Sequence, residues 1–313
     1  DGTGNPRYPA VAGSDAGDVT SPLTQAEVTA LLEEAFKVMS DARAQIRQPL
    51  NSRAQVTISV VDTRGKILGM VRSPDAPVFG IDVSLQKART VAFFSGAKAA
   101  SDLAADPSAG VQGFVPAART FLNNPGAFTG ANAFGARSIA NLSRPFFPDG
   151  QDGNANGPLS RPIAQWSPFS TGLQSALVIA NIGQHLTYVA TGNPSSAPDT
   201  RARCSFIPDT PSGQNRLQNG IQIFSGAVPI YRGNVLVGGI GVSGDGVDQD
   251  DMISFLGLYN AGTRTTSIGE APAAIRADQI VIPVSGSSVR LRYVNCPVAP
   301  FLSTSDANVC EGK

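Results

Sequence analysis

Apolar residues in the first third of the chain change spacing twice, and each change marks an element. Between residues 24 and 47 they recur at Val28, Leu31, Leu32, Ala35, Phe36 and Met39, a 3.6-residue stripe that predicts an amphipathic helix ending before Pro49. Thr24 and Glu27 stand three apart ahead of that stripe, the spacing of a capping box, and Leu23 and Val28 form a hydrophobic staple. The pattern then alternates over residues 55–61, turns at Asp62, Thr63, Arg64 and Gly65, and returns over 66–72, which predicts a β-hairpin. A second helix follows, capped by Asp82 or Ser84 and stopped by Gly96.

Residues 97–219 differ in texture, being rich in Pro, Gly, Asn and Ser, with one helical stretch at 171–186 whose predicted apolar face is Leu173, Leu177, Ala180 and Ile182. A loop that long within a domain predicts an ordered insertion or a small subdomain. Strand signals resume at 220–224, a second hairpin spans 227–242, and a helix covers 247–259 with Asp248, Asp250 and Asp251 in its first turn. Two further strand-like pieces lie at 279–283 and 289–294. This order predicts an α+β architecture: an antiparallel sheet flanked by helices and interrupted by a long irregular insertion. The corresponding division is a lead-in at 1–22, a module of 23–96 plus 220–262, the insertion at 97–219, and a C-terminal extension at 263–313 packing on the module.

Composition narrows the function classes. The 313 residues carry 24 basic and 24 acidic side chains, so net charge gives no ground for nucleic-acid binding, and no apolar run is long enough for a membrane span. A first residue of Asp1 rather than Met points to a processed chain, a piece of a longer one or a recombinant product. Of three cysteines, Cys296 and Cys310 bracket a short loop and are the expected disulfide of a periplasmic or secreted protein; reduced thiols in the cytosol are the alternative, and Cys204 has no assigned partner.

Three segments carry a family resemblance: VTISVVDTRGKILGMVR at 56–72, SLQKARTVAFF at 84–94, and SGAVPIYRGNVLVGGIGVSGDGVDQDD at 225–251. In their order and in the Val-Gly-Gly-Ile-Gly-Val-Ser-Gly run they resemble the GlcG/HbpS-like "haem-degrading domain" family. The resemblance implies a profilin-like sheet and frequent oligomerisation. Some members bind haem, and others are associated with glycolate utilisation. It implies nothing for the insertion or the tail.

The glycine run before the last helix offers backbone amides for an anion such as a carboxylate, with Gly226, Pro229, Gly241, Ser243 and Gly244 as candidate ligand-binding positions and Arg72 and Lys87 as accompanying cations. Close helix–sheet packing is the competing explanation. His185, the single histidine, excludes multi-histidine metal sites and remains a candidate haem ligand, beside Tyr231, Met70 and Met252. Asp149, Asp152 and Asn154, among glycines, could hold calcium or form a plain turn. Aromatic residues of the insertion, Phe146, Phe147, Trp166 and Phe169, could line a pocket or an interface, or anchor an irregular segment.

The leading expectation is an extracytoplasmic, homo-oligomeric binding protein for haem or a similar carboxylate-bearing small molecule. One alternative is an enzyme or accessory subunit acting on a small oxygenated metabolite, with Asp62 or Asp250 handling protons. The other is a docking domain of a larger secreted assembly.

Overall fold

The computed structural model describes residues 8–168, 170–193, 203–213, 215–284 and 286–313, so Phe169 lies outside the described residues. The chain forms an α+β fold around a four-stranded antiparallel sheet of order β2-β1-β4-β3, where β1 is Thr57–Val61, β2 Ile67–Arg72, β3 Ala227–Arg232 and β4 Val235–Ser243. The two hairpins, about 150 residues apart in sequence, meet through β1 and β4, with Thr57 opposite Ser243, Ser59 opposite Gly241 and Val61 opposite Gly239.

Helices cover both faces of this sheet. Helix α1 (Gln25–Asp41) and a long C-terminal helix (Val247–Thr265) pack together at Gly257, whose missing side chain admits the Ala35 backbone. They cover the face bearing Ile58, Val60, Ile240 and Val242. The capping box forms as the sequence predicts: the Glu27 carboxylate accepts from the Thr24 amide at 2.8 Å, and the Glu27 amide donates to the Thr24 hydroxyl at 3.2 Å. Glu27 also takes two hydrogen bonds from Arg232 on β3. Burial opposes its charge, but Arg232, Ser267 and Thr24 outweigh that and bring its pKa down to about 2. Helix α1 ends six residues short of the predicted limit, because Ala42 turns into extended backbone and pairs with Phe301 of the C-terminal tail.

Helix α2 (Gly80–Phe94) covers the opposite face, and glycines decide how closely. A Cβ on Gly239 would lie 2.5 Å from the Ala88 carbonyl oxygen, and one on Gly241 2.2 Å from that of Ser84. The Ser84 hydroxyl meets that of Ser59, Gly241's cross-strand neighbour, at 2.7 Å. The helix backbone therefore rests directly on β4.

Between the hairpins run α3 (Ala99–Ala104), α4 (Ala109–Gln112), α5 (Phe114–Phe121), α6 (Ala136–Leu142) and α7 (Gly172–Thr191); the C-terminal helix is α8. Buried rings tie this stretch to α2, with Phe94 against Phe128 at 4.9 Å and Phe128 against Phe134 at 5.2 Å. Phe147 stacks edge-on against Phe121, and the Trp166 indole donates to the Ser143 carbonyl, so these aromatics anchor the segment. Residues 220–224, expected as a strand, are irregular: the Gln222 amide donates to the Thr90 hydroxyl instead of to a ladder. The tail contributes a separate hairpin, β5 (Val281–Val284) with β6 (Ser287–Arg290), and the disulfide Cys296–Cys310. The described residues ahead of α1 are tied to the first hairpin. The Val11 amide donates to Leu68, and buried Asp15 accepts from the Thr63 amide and hydroxyl.

Candidate functional site

Lys87, Gly226, Gly241, Ser243 and Gly244 do converge at one end of β4, but they enclose no hollow. The Lys87 ammonium is buried and donates to the Val242 carbonyl and to Asp250, each at 2.8 Å. A Cβ on Gly226 would lie 2.6 Å from Asp250 and 2.8 Å from the Lys87 nitrogen, and one on Gly244 2.5 Å from the Gln55 carbonyl. Pro229 is spent in the β3–β4 ladder opposite Gly239. The expected anion nest is corrected accordingly: the backbone of α2 and the Lys87–Asp250 pair fill the space that the glycines leave. Arg72 lies exposed at the end of β2, donates to the Ala76 carbonyl and does not join Lys87.

The aspartates at the start of α8 are likewise committed. Burial pushes the Asp250 carboxyl up to about 6 even with Lys87 beside it. Asp251 is pushed up by burial as well, while Arg137 of α6 donates to it at 2.5 Å, reaches Asp248 with its other arm, and the Asn295 amide adds a third bond. This knot of α6, α8 and the tail went unseen in the sequence, since nothing local pairs Arg137 with Asp251. Asp62 accepts from the Arg64 and Lys66 amides and closes the β1–β2 turn.

The cavity with useful chemistry lies at the other end of the sheet. There the β1–β2 turn, the β3–β4 turn, the C-terminal turn of α2 and residues 17–19 border a cleft of about 520 Å³, within the range of small-molecule sites. Ala92, Phe93, Ala97 and Leu236 give it apolar walls, and Lys98, Arg216 and Asp18 give it charge. Arg216 is held by Asp102 at 2.9 Å and Asp18 at 3.5 Å. The Arg64 guanidinium, donating to Asp18 at 2.7 Å, holds that carboxyl below its ordinary value. Lys98 is exposed and, among the described residues, forms no ion pair.

Tyr231 lines the same cleft, and it alone among the candidate haem ligands does so. Its ring is buried, its hydroxyl has no hydrogen-bond partner among the described residues, and burial raises the phenol's pKa. The Tyr231 backbone exchanges two hydrogen bonds with Gly269, which sets Glu270 alongside. Both Glu270 carboxylate oxygens and the Tyr293 hydroxyl are shielded and unpartnered too, and burial pushes Glu270 well up. Such orphaned groups are rare in folded proteins and concentrate where water or a ligand belongs. His185 instead sits on the exposed half of α7, its ring 6.2 Å from that of Tyr188, while Met70 is on β2 and Met252 is in the core.

Calcium finds no support. Asp149 faces Arg144 at 3.5 Å and the Asn154 amide donates to Gln151; among the described residues no three His, Cys, Asp or Glu side chains converge on a metal site. Gly150 and Gly153, at φ of 84° and 89°, make this a turn closed by the Phe147 amide on the Ala155 carbonyl.

The profile of the family described as "Haem degrading protein HbpS-like" matches residues 31–138 and 179–258. Among curated proteins none matches. A solved structure titled as a PduOC:heme complex aligns over 75% of this chain and 88% of its own, at 16% identity and a TM-score of 0.32. The Klebsiella pneumoniae protein ORFY, of family DUF336, aligns over 82% and 96%, at 15% identity and a TM-score of 0.33. Overlaps this loose carry no argument about function.

Proposed function

Since the chain belongs to the HbpS-like haem-degrading family, we propose that it binds haem, or a similar planar carboxylate-bearing molecule, in the cleft beside Tyr231. The carrying observation is that one cleft combines apolar walls, the exposed cation of Lys98 and a phenol that has no hydrogen-bond partner among the described residues.

Those residues suit the group chemically. Ala92, Phe93 and Leu236 would take its apolar face, and Lys98 would meet a carboxylate. The Tyr231 oxygen, shielded from solvent as the ring stands, would become a donor to iron only with the ring turned into the cleft; tyrosine holds iron in some haem proteins. Burial opposes ionisation of the free phenol, so ligation at that atom would depend on the metal's own charge. Haem, when bound, supplies a redox-active iron. Asp62 and Asp250, the proton handlers of the enzyme alternative, do not line the cleft. An extracytoplasmic setting is part of the proposal, supported by the Cys296–Cys310 disulfide.

Titration with hemin, followed at its Soret band, tests the reading. A saturable shift is expected, weakened about tenfold by Lys98→Glu, the equivalent of about 1.4 kcal/mol. Tyr231→Phe is expected to move the band position. Hemin recovered free after desalting, with no saturable shift, would refute the proposal.

A further inference from the structure

Helix α7 has two halves with different surroundings. Leu173, Ala176 and Leu177 bury its first turns, yet beyond Asn181 no residue of the helix is buried. On the side turned away from Leu173 and Leu177, Ile179, Ile182, Leu186 and Val189 are 63%, 47%, 61% and 64% exposed. Leaving aliphatic side chains of that size in water forgoes the stabilisation that burial would give them. Scattered exposed apolar residues need no explanation, but four in register on one helix do.

Their spacing is three, four, three, the a/d seam of paired helices. It is also symmetric about position 184, since 179 and 189 are equally distant from it, as are 182 and 186. An antiparallel copy of the helix therefore sets Ile179 against Val189 and Ile182 against Leu186, and the reverse, which is what a two-fold interface requires. Across its 20 residues α7 carries no Asp, Glu, Lys or Arg. A charged partner has nothing to pair with there, whereas a second copy meets no like-charge repulsion, and opposed helix dipoles favour the antiparallel arrangement. Gly183 has open space around its Cα and admits close approach. No described helix, α7 included, is long and apolar enough to cross a membrane.

We propose that this stripe docks α7 antiparallel onto α7 of a second copy of the chain. The seam spans on the order of 400 Å² per copy, about half the usual share of a stable interface, so the dimer is dissociable at micromolar concentration. This inference is independent of the ligand reading.

Sedimentation velocity on the full chain tests it. Wild type is expected to pass from monomer to dimer with rising concentration, and Ile182→Asp with Leu186→Asp to stay monomeric with an unchanged melting temperature. In a Cys204→Ser background, Ile182→Cys combined with Leu186→Cys is expected to cross-link far better than either alone. A monomeric wild type up to on the order of 100 µM, or a dimer indifferent to the paired aspartates, would overturn the proposal. So would flotation of the wild type with phospholipid vesicles that the aspartates abolish, which would assign the stripe to lipid. Hemin titration of the aspartate variant separates the two proposals, because the cleft is untouched.

Discussion

The sheet module and the segment interrupting it share one use of glycine and differ in another. In β4, Gly239 and Gly241 are places where another backbone lies within 2.5 Å of where a Cβ would be. In the intervening segment Gly135 and Gly157 are packed as closely, a Cβ there lying 2.3 Å from the Tyr293 and Leu142 carbonyl oxygens, but Gly150 and Gly153 have nothing within 4 Å and serve the left-handed turn they adopt, and Gly183 stands open within a helix. The module is ordered by close contact between backbones, with charges sealed between its layers. The segment combines a few such contacts with buried rings and open turns, and leaves one helix half uncovered.

Substitutions can break that contrast, beginning with the most damaging. Gly241→Val is expected to abolish folding, because the methyls would occupy the Ser84 carbonyl's place; soluble yield and circular dichroism report it, and a stable variant would break the contrast outright. Lys87→Met should cost about 3–5 kcal/mol in urea denaturation at neutral pH, since it strands Asp250 in the core. Its pH dependence sharpens the point. Asp250 already has a folded pKa of about 6, above its unfolded value, so the stability it contributes is present at low pH and lost as pH rises through about 6. Without Lys87 the folded pKa rises further, so that loss is expected to begin at the same unfolded pKa but to continue to higher pH, and the deficit shrinks on acidification. A deficit constant from pH 5 to 8 would show that Asp250 is not the stranded group.

Away from the sheet the effects shrink. Cys296→Ser opens a loop of 14-residue separation and is expected to cost about 3 kcal/mol, read as a lower midpoint under non-reducing conditions only. Gly183→Ala is expected to stabilise by up to about 1 kcal/mol, since the helix gains a better former and nothing obstructs the methyl. Destabilisation there would mean that the open half of α7 is covered in solution.

What could be read in advance follows the same division. The capping box, both hairpins and their order were legible because each is fixed by residues within about ten positions of one another. The glycine run was ambiguous for a physical reason. An anion nest and a helix–sheet contact both need a strand without side chains, and only the path of α2 decides between them. Lys98, Arg216 and Asp18 could not be grouped, since they come from a helix end, the segment and the lead-in. The outer stripe of α7 went unread, and the inner face, Leu173, Ala176, Leu177 and Asn181, differs from the predicted Leu173, Leu177, Ala180 and Ile182, the last of which is exposed. A helix with apolar residues on two sides does not declare which side is covered.

The cleft is the centre of the functional account, and blocking it is the most direct test. Ala97 is exposed on its wall, so Ala97→Trp should fill the space without disturbing the core. Hemin binding by equilibrium titration is expected to fall at least tenfold in that variant and to stay unchanged in His185→Ala. Equal affinity in wild type and Ala97→Trp, or loss with His185→Ala alone, would contradict the account.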